Sequence, residues 1–314
     1  MKKKINKIPQ YDAQHFAVVD LGSNSFHLLI TQLKGNKIKT VNKVKRKVRL
    51  AAGLNEQDEL SVDAMTRGLS CLRLFAKHLA TIPLTNIRIV ATATLRIAKN
   101  RHEFLNRAKD ILPVAIKLLN GKQEAETIYS GVAHTCENNC AQKKLVIDIG
   151  GASTELIIGQ DFTANKAISL NLGCVSFKAH YFANEQLSDE NFVSAINAAS
   201  HIIEPVSAEF IKLGWQLAVG SSGTIRALAE ILAFRQQAIV ITADFLQTIK
   251  RDLIQCKTID AIELEGLRSD RSPVLASGLC ILIALFNCLQ IKELTLSTGA
   301  LREGVLFEML PLKN

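Results

Sequence analysis

A chain of 314 residues, 48% hydrophobic but only 5% aromatic, is long enough for two domains with full cores built mostly of Leu, Ile, Val and Ala. Its net charge of +9 at pH 7 favours an anionic partner, and seven scattered cysteines, an odd number, exclude a secreted disulfide framework and are expected to be reduced. The opening Met1 to Pro9 has no hydrophobic signal core, and no apolar run of about 18 residues is free of charged or polar breaks, so a cytoplasmic protein with no membrane partner is expected.

Residues 1–14 are basic and polar and read as a solvated tail or as a hold on a polyanion. From Val18 to Ile30 an apolar run up to Asp20, the small residues Gly22, Ser23, Asn24 and Ser25, and a second apolar run read as strand, tight turn, strand. Glycine has no Cβ, so the N–H groups of such a turn can come up against an anion, with a carboxylate beside them. Thr40 to Leu50 carries Lys43, Lys45, Arg46, Lys47 and Arg49, either the solvated face of a strand or a substrate-guiding strip, and both readings are compatible. Ser61 caps a helix whose stripe is Val62, Met65, Leu69, Leu72, Phe75, Ala76 and Leu79. Ile87 to Ala91 reads as a strand, followed by a turn carrying Arg96, just past a strand end, where open α/β sheets gather ligands. After a short strand from Pro113 to Leu119, Asn120-Gly121 turns into a helix starting near Lys122. By spacing alone Glu124, on its first turn, is a surface carboxylate favoured by the helix dipole.

The polar stretch His134 to Lys144 is the expected junction, giving domains 1–138 and 139–314, with room for the last helix to pack back on the first domain. Cys136 and Cys140, within the stretch, lack a second pair to complete a tetrahedral metal site. Leu145 to Gly159 then repeats the first hairpin without a gap: Asp148 stands 128 residues after Asp20, and Gly150 and Ser153 match Gly22 and Ser25. Such a repeat predicts two like domains, each giving one anion-binding turn to a shared cleft. Leu217 to Leu228 reads as strand, a turn of Gly220, Ser221, Ser222 and Gly223, and a helix from near Thr224 that lacks the Lys of a P-loop. Ala276 to Leu289 is apolar enough for a buried helix, and Ser297 to Gly299 turns into a closing helix from Ala300.

Five motifs in register, Asp20 to Ser25, Asp148 to Glu155, Gly173 to Ser176, Gly220 to Thr224 and Gly299 to Gly304, resemble the exopolyphosphatase and guanosine pentaphosphate phosphohydrolase family over nearly the whole chain. The resemblance implies an α/β fold of two ribonuclease-H-like domains of the actin, sugar-kinase and heat-shock ATPase type around an interdomain cleft. It also implies that Glu124 is the catalytic base, since Asn120 to Ala125 matches the family's Ser-Gly-x-Glu-Glu-Ala pattern. The first Glu of that pattern is Gln123 here, which removes a neighbouring negative charge. Ala152 stands where a third Gly is usual, and Thr298 where an Asp is common. Longer members of the family add a C-terminal helical domain.

The function this implies is hydrolysis of terminal phosphoanhydride bonds, releasing phosphate from inorganic polyphosphate. The alternatives are removal of the 5′ phosphate of guanosine pentaphosphate, phosphoryl transfer to an acceptor, and non-catalytic sensing of polyphosphate or an alarmone. Mg²⁺ is the expected cofactor, on Asp20 and Asp148 with Glu155 as a further carboxylate for metal or water, because this ion prefers few carboxylates and keeps several waters. Gly22, Ser23, Asn24, Ser25, Gly150, Gly151, Ala152 and Ser153 would cradle the terminal phosphates. Arg96 would neutralise phosphoryl oxygens, and Gly220, Ser221, Ser222, Gly223 and Thr224 would hold the rest of the substrate. Neither nucleic acid nor membrane is expected as a partner, and a homodimer is left open.

Overall fold

Seven consecutive buried residues, His15–Leu21, make β1 the inner strand on which the first sheet is built. It is part of a computed structural model that describes residues 11–35, 37–136 and 141–310. Residues 1–10 of the basic tail, and Cys140 of the cysteine pair, lie outside the described residues. Contacts divide the chain into two compact units, one of residues up to Leu119 together with those from Val305, the other Asn120–Gly304.

In the first unit β1 is followed by β2 (Ser25–Lys34), β3 (Lys37–Lys47), α1 (Val62–Leu79), β4 (Ile87–Ala91), α2 (Ala93–Ile97), α3 (Arg101–Lys109) and β5 (Ile116–Leu118). The strand order is β3-β2-β1-β4-β5. β1, β2 and β3 pair antiparallel, while β4 and β5 run parallel to β1, as crossovers through helices require. Ala17, Val19 and Leu21 of β1 and Phe26, Leu28 and Ile30 of β2 alternate onto the face that packs against Met65, Leu69, Leu72 and Phe75 of α1. Ser61 caps α1, its hydroxyl accepting from Ala64 N–H at 3.3 Å. The expected stripe needs one correction: Val62, the first helical residue, is 73% exposed, and Ala64, Gly68 and Cys71 widen the buried face instead. Edge strand β3 presents Lys43, Lys45 and Arg46 to solvent, and such charges on an edge discourage further strand pairing.

The second unit runs α4 (Gly121–His134), β6 (Lys144–Ile149), β7 (Thr154–Gln160), β8 (Thr163–Leu170), α5 (Cys174–Tyr181), α6 (Asp189–Leu213), β9 (Leu217–Ser221), α7 (Ser222–Phe234), β10 (Val240–Thr242), α8 (Ala243–Cys256), α9 (Leu275–Leu289) and β11 (Glu293–Leu296), then enters α10 (Leu301–Met309). Its strand order, β10-β11-β9-β6-β7-β8, repeats the first sheet with one strand added: β8, β7 and β6 are antiparallel neighbours, β9 lies parallel beside β6, β11 parallel beside β9, and β10 antiparallel beside β11. The chain is therefore α/β, with two ribonuclease-H-like units of the actin-like class. The division between them falls before α4 rather than within 134–144, because α4 packs on β7 and β8 of the second sheet. Ser272–Leu289 is long and apolar enough to cross a membrane by length and composition, but 72% of it is buried, with α9 packed against α5, α6, α7 and α8.

Both hairpins close the same way. A Cβ at Gly22 would lie 2.9 Å from the Ser25 carbonyl oxygen, and one at Gly150 would lie 2.9 Å from that of Ser153. The repeat seen in the sequence is thus a repeat of backbone geometry.

Candidate active site

Strand register gathers the second unit's polar residues into one row. Ser221 on β9 lies opposite Asp148 on β6, Asp148 opposite Glu155 on β7, and Glu155 opposite Ser169 on β8. Directly opposed residues share a face of the sheet, so four strands present Ser, Asp, Glu and Ser side by side. Each terminal serine donates inward: Ser221 Oγ to Asp148 Oδ2, and Ser169 Oγ to Glu155 Oε1 at 2.7 Å. Ser153 Oγ, from the turn between β6 and β7, donates to the same Oε1 at 2.7 Å.

Glu124 joins this row from α4. It is 6% exposed, not the surface carboxylate that spacing alone suggested, and lies on the first helical turn, which the helix dipole makes favourable for an anion. Asn120 caps the helix, its Oδ1 accepting from Gln123 N–H at 2.8 Å, and Gln123 Oε1 accepts from Asn120 N–H at 3.0 Å. This reciprocal cap starts α4 at Gly121 and gives Gln123 a local role that a neutral amide fills as well as a carboxylate.

Burial and neighbouring carboxylates raise the cost of ionising Glu155. Burial pushes Glu155 well above the usual carboxylate range, aided by the negative charges of Glu124 and Asp148, while the two serine hydroxyls pull it back. Burial also raises Asp148, against the Ser221 hydrogen bond and the Arg302 guanidinium. A carboxyl whose folded-state pKa exceeds its unfolded value favours folding while protonated, and that advantage is lost as pH rises from the ordinary carboxylate range through the folded-state pKa. Glu155→Gln keeps the serine contacts and removes the repulsion. It is expected to raise the melting temperature at pH 7.5 by about 2–4 °C, the shift produced by roughly 1 kcal/mol in a domain of this size. The gain should shrink as pH falls and vanish near about pH 3, where glutamate is protonated in either state, and a lower melting temperature at pH 7.5 would contradict the assigned repulsion.

The turn beside the row has its carbonyls occupied. Gly150 O accepts from Cys174 N–H at 2.9 Å, and Gly151 O from Val175 and Ser176 N–H at 2.9 and 3.2 Å, all at the start of α5. Gly173 permits this approach, since its Cβ would fall 2.3 Å from Ala152 N. Among the described residues the N–H groups of Gly151, Ala152 and Ser153 donate to no protein acceptor, which is the arrangement that binds anions. Ser153's hydroxyl, by contrast, is committed to Glu155.

The first unit carries the same turn. Asn24 O accepts from Arg49 N–H and Ser23 O from Ala51 N–H, each at 2.9 Å, and among the described residues the N–H groups of Ser23 and Asn24 donate to no protein acceptor. Ser23 and Ser25 are buried, and Asp20, 8% exposed, has Oδ1 3.6 Å from where a Cβ on Gly22 would sit. Its row differs: Asp20 lies opposite His27, and His27 opposite Lys45, where the second unit has Glu155 and Ser169. Arg96, half-buried in α2, donates from Nη1 to Leu119 O at 3.1 Å.

The Gly220 to Thr224 segment is tighter than expected. α7 begins at Ser222, in the left-handed region at φ 82°, rather than near Thr224. Gly220 is a strand residue whose Cβ would meet the Ile225 side chain at 2.9 Å, and Gly223 O accepts from Arg271 Nη1 at 2.7 Å. Thr224 is buried against α9, where a Cβ on Gly278 would lie 2.2 Å from Thr224 Oγ1. Of the five residues, Ser221 is the one in hydrogen-bond contact with the carboxylate row. Sequence reading missed Ser169, His27 and Arg302 as site residues and took Lys45 only as one cation of a basic strip. Arg302 stood in a quoted motif and His27 in the first hairpin, while Ser169 and the places of His27 and Lys45 are found through strand register.

Among the described residues no group of three or more His, Cys, Asp or Glu is gathered as a metal-ligand set. The oxygen-only pair Asp148 and Glu155 nevertheless suits Mg²⁺, which takes one or two carboxylates and completes its shell with water and phosphate oxygens. Glu155 Oε2 forms no hydrogen bond among the described residues, so one oxygen of the pair is open to such an ion.

A model of the Ppx/GppA phosphatase family matches residues 29–313. The chain is 51% identical over 296 residues to the guanosine-5′-triphosphate,3′-diphosphate pyrophosphatase of Pseudoalteromonas translucida, covering 94% of this chain and 59% of that protein. It thus spans about three fifths of the length of the curated relatives it matches. Among solved structures it is similar to an exopolyphosphatase from Cytophaga hutchinsonii, with a TM-score of 0.83 and 23% identity over 94% of this chain and 97% of that one. It is also similar to the Aquifex aeolicus PPX-GPPA enzyme, with a TM-score of 0.74 and 24% identity over 94% and 99% of the two chains. At these identities the two structures speak for the fold.

Proposed function

We propose, because this chain belongs to the Ppx/GppA phosphatase family, that it hydrolyses a terminal phosphoanhydride bond and that its substrate is guanosine pentaphosphate. The observation that carries the chemistry is buried Glu124 set among Asp148 and Glu155 beside a turn of unused N–H groups. Phosphoryl transfer to water needs a positioned water, a group to accept its proton, and donors for the equatorial oxygens. Glu124 takes the proton of the attacking water, from a buried position on the first turn of α4. The N–H groups of Gly151, Ala152 and Ser153 bind the phosphoryl oxygens. In the first unit those of Ser23 and Asn24 bind a phosphate group in the same manner, with Asp20 in the place of Asp148. Asp148 and Glu155 would hold Mg²⁺, which when bound neutralises charge on the phosphates. Ser221 keeps Asp148 in place.

Relatives near half identity whose names specify the guanosine substrate support guanosine pentaphosphate ahead of inorganic polyphosphate, which the sequence put first. Polyphosphate remains the second reading because of the net charge of +9 and the exposed cations of β3, which suit any polyanion. Phosphate release with Mg²⁺ should be measured on guanosine pentaphosphate, short polyphosphate and long polyphosphate. A kcat/KM for the nucleotide at least about tenfold above either polymer, a difference of about 1.4 kcal/mol in transition-state binding, is expected. A polymer preferred by the same margin would replace the substrate, and release from none would favour a binding protein.

A further inference from the structure

Glu155 is held by one oxygen only. Oε1 receives two hydroxyl hydrogen bonds, from Ser153 and Ser169, both at 2.7 Å, and Oε2 receives none among the described residues. The two donors come from different directions: Ser153 closes the turn at the head of β7, and Ser169 sits directly across the ladder on β8. Glu155 is 1% exposed and stands opposite Asp148, and the hydroxyls of Ser153 and Ser169 are its side-chain hydrogen-bond donors among the described residues, so these two contacts set the rotation of its carboxylate.

We infer that Ser169 is a positioning residue for the proposed hydrolysis: with Ser153 it pins Glu155 Oε1, leaving Oε2 as the oxygen that meets the metal ion or the attacking water. The inference rests on the reading of the site as a phosphoanhydride hydrolase. Ser153 belongs to the turn whose N–H groups bind phosphate, so its replacement would mix two effects. Ser169 touches Glu155 from outside the turn, so its variants leave the phosphate-binding turn unchanged. Its part is the mirror of that played by Ser221 at the other end of the row, which donates to Asp148.

Ser169→Ala and Ser169→Thr test this. Threonine keeps the hydroxyl and suits a strand. Ser169→Ala is expected to lower kcat about tenfold, the effect of losing one hydrogen bond to an ionised group. KM should stay within about twofold, since the turn that binds phosphate is untouched. Ser169→Thr should recover the rate to within about threefold of wild type, as one hydroxyl replaces another. A crystal structure of Ser169→Ala should show the Glu155 carboxylate turned away from its wild-type orientation on an otherwise superimposable sheet. Unchanged kcat in Ser169→Ala, a higher KM at constant kcat, or an unmoved Glu155 would each overturn the inference. A wild-type protein that releases no phosphate from any substrate would overturn the functional reading instead, and the orientation of Glu155 in the crystal would then decide the role of Ser169 by itself.

Discussion

Replacing Glu124 with alanine should lower kcat for phosphate release by about 10²–10⁴-fold, the range typical of a lost general base. The size follows from its surroundings. Glu124 is buried on the first turn of α4, within charge contact of Glu155. KM should change by no more than about threefold, because the phosphate-binding N–H groups belong to a turn braced independently by α5. Glu124→Gln should be nearly as inactive, since it preserves shape and loses basicity. The capping pair Asn120 and Gln123 holds α4 in both variants, so melting temperatures should remain within a few degrees of wild type. Steady-state rates with coupled phosphate detection check this, and wild-type turnover in Glu124→Ala would remove the residue from its role.

Gly304→Ala should cost about 3 kcal/mol of stability, at the upper end of what overpacking usually costs. A Cβ at Gly304 would stand 1.9 Å from Thr127 O, and the neighbouring crossing is as close: Gly131 would meet Ala300 O at 2.0 Å, and Gly299 would meet Gly131 O at 2.1 Å. All three obstacles are backbone, which cannot swing aside as a side chain can, so the start of α10 and α4 would have to separate. Thr127 lies one turn along α4 from Glu124, and Arg302, whose charge bears on Asp148, lies on the same turn of α10 as Gly304. The substitution should therefore also lower the activity of the folded fraction. Chemical denaturation read by circular dichroism gives the stability change, and a midpoint equal to wild type would mean that the two segments are not so tightly joined.

Much of the fold could be read from residues in chain order. The paired hairpins were visible because each places an acid at a strand's end and small residues in a tight turn, and α1 was visible from its serine cap and apolar spacing. The functional row was legible only in part: Asp148, Glu155 and Ser221 stand in motifs, whereas Ser169, 14 residues after Glu155 on the next strand, is tied to it by register alone. Glu124 looked like a solvated helix residue, and only packing of α4 on β7 and β8 buries it. The same packing moved the division between the units ahead of α4, although 134–144 has the composition of a linker. The start of α7 was misplaced because Ser222 takes a backbone conformation for which glycine, the residue after it, is the usual choice.

The central claim, that water activated in the carboxylate row attacks the terminal phosphoryl group, is tested most directly by turnover of guanosine pentaphosphate in ¹⁸O-labelled water. One labelled oxygen should appear in the released phosphate and none in the guanosine tetraphosphate left behind, with the signal lost in Glu124→Ala. Label in the nucleotide product, or labelled phosphate formed equally fast without Glu124, would contradict it.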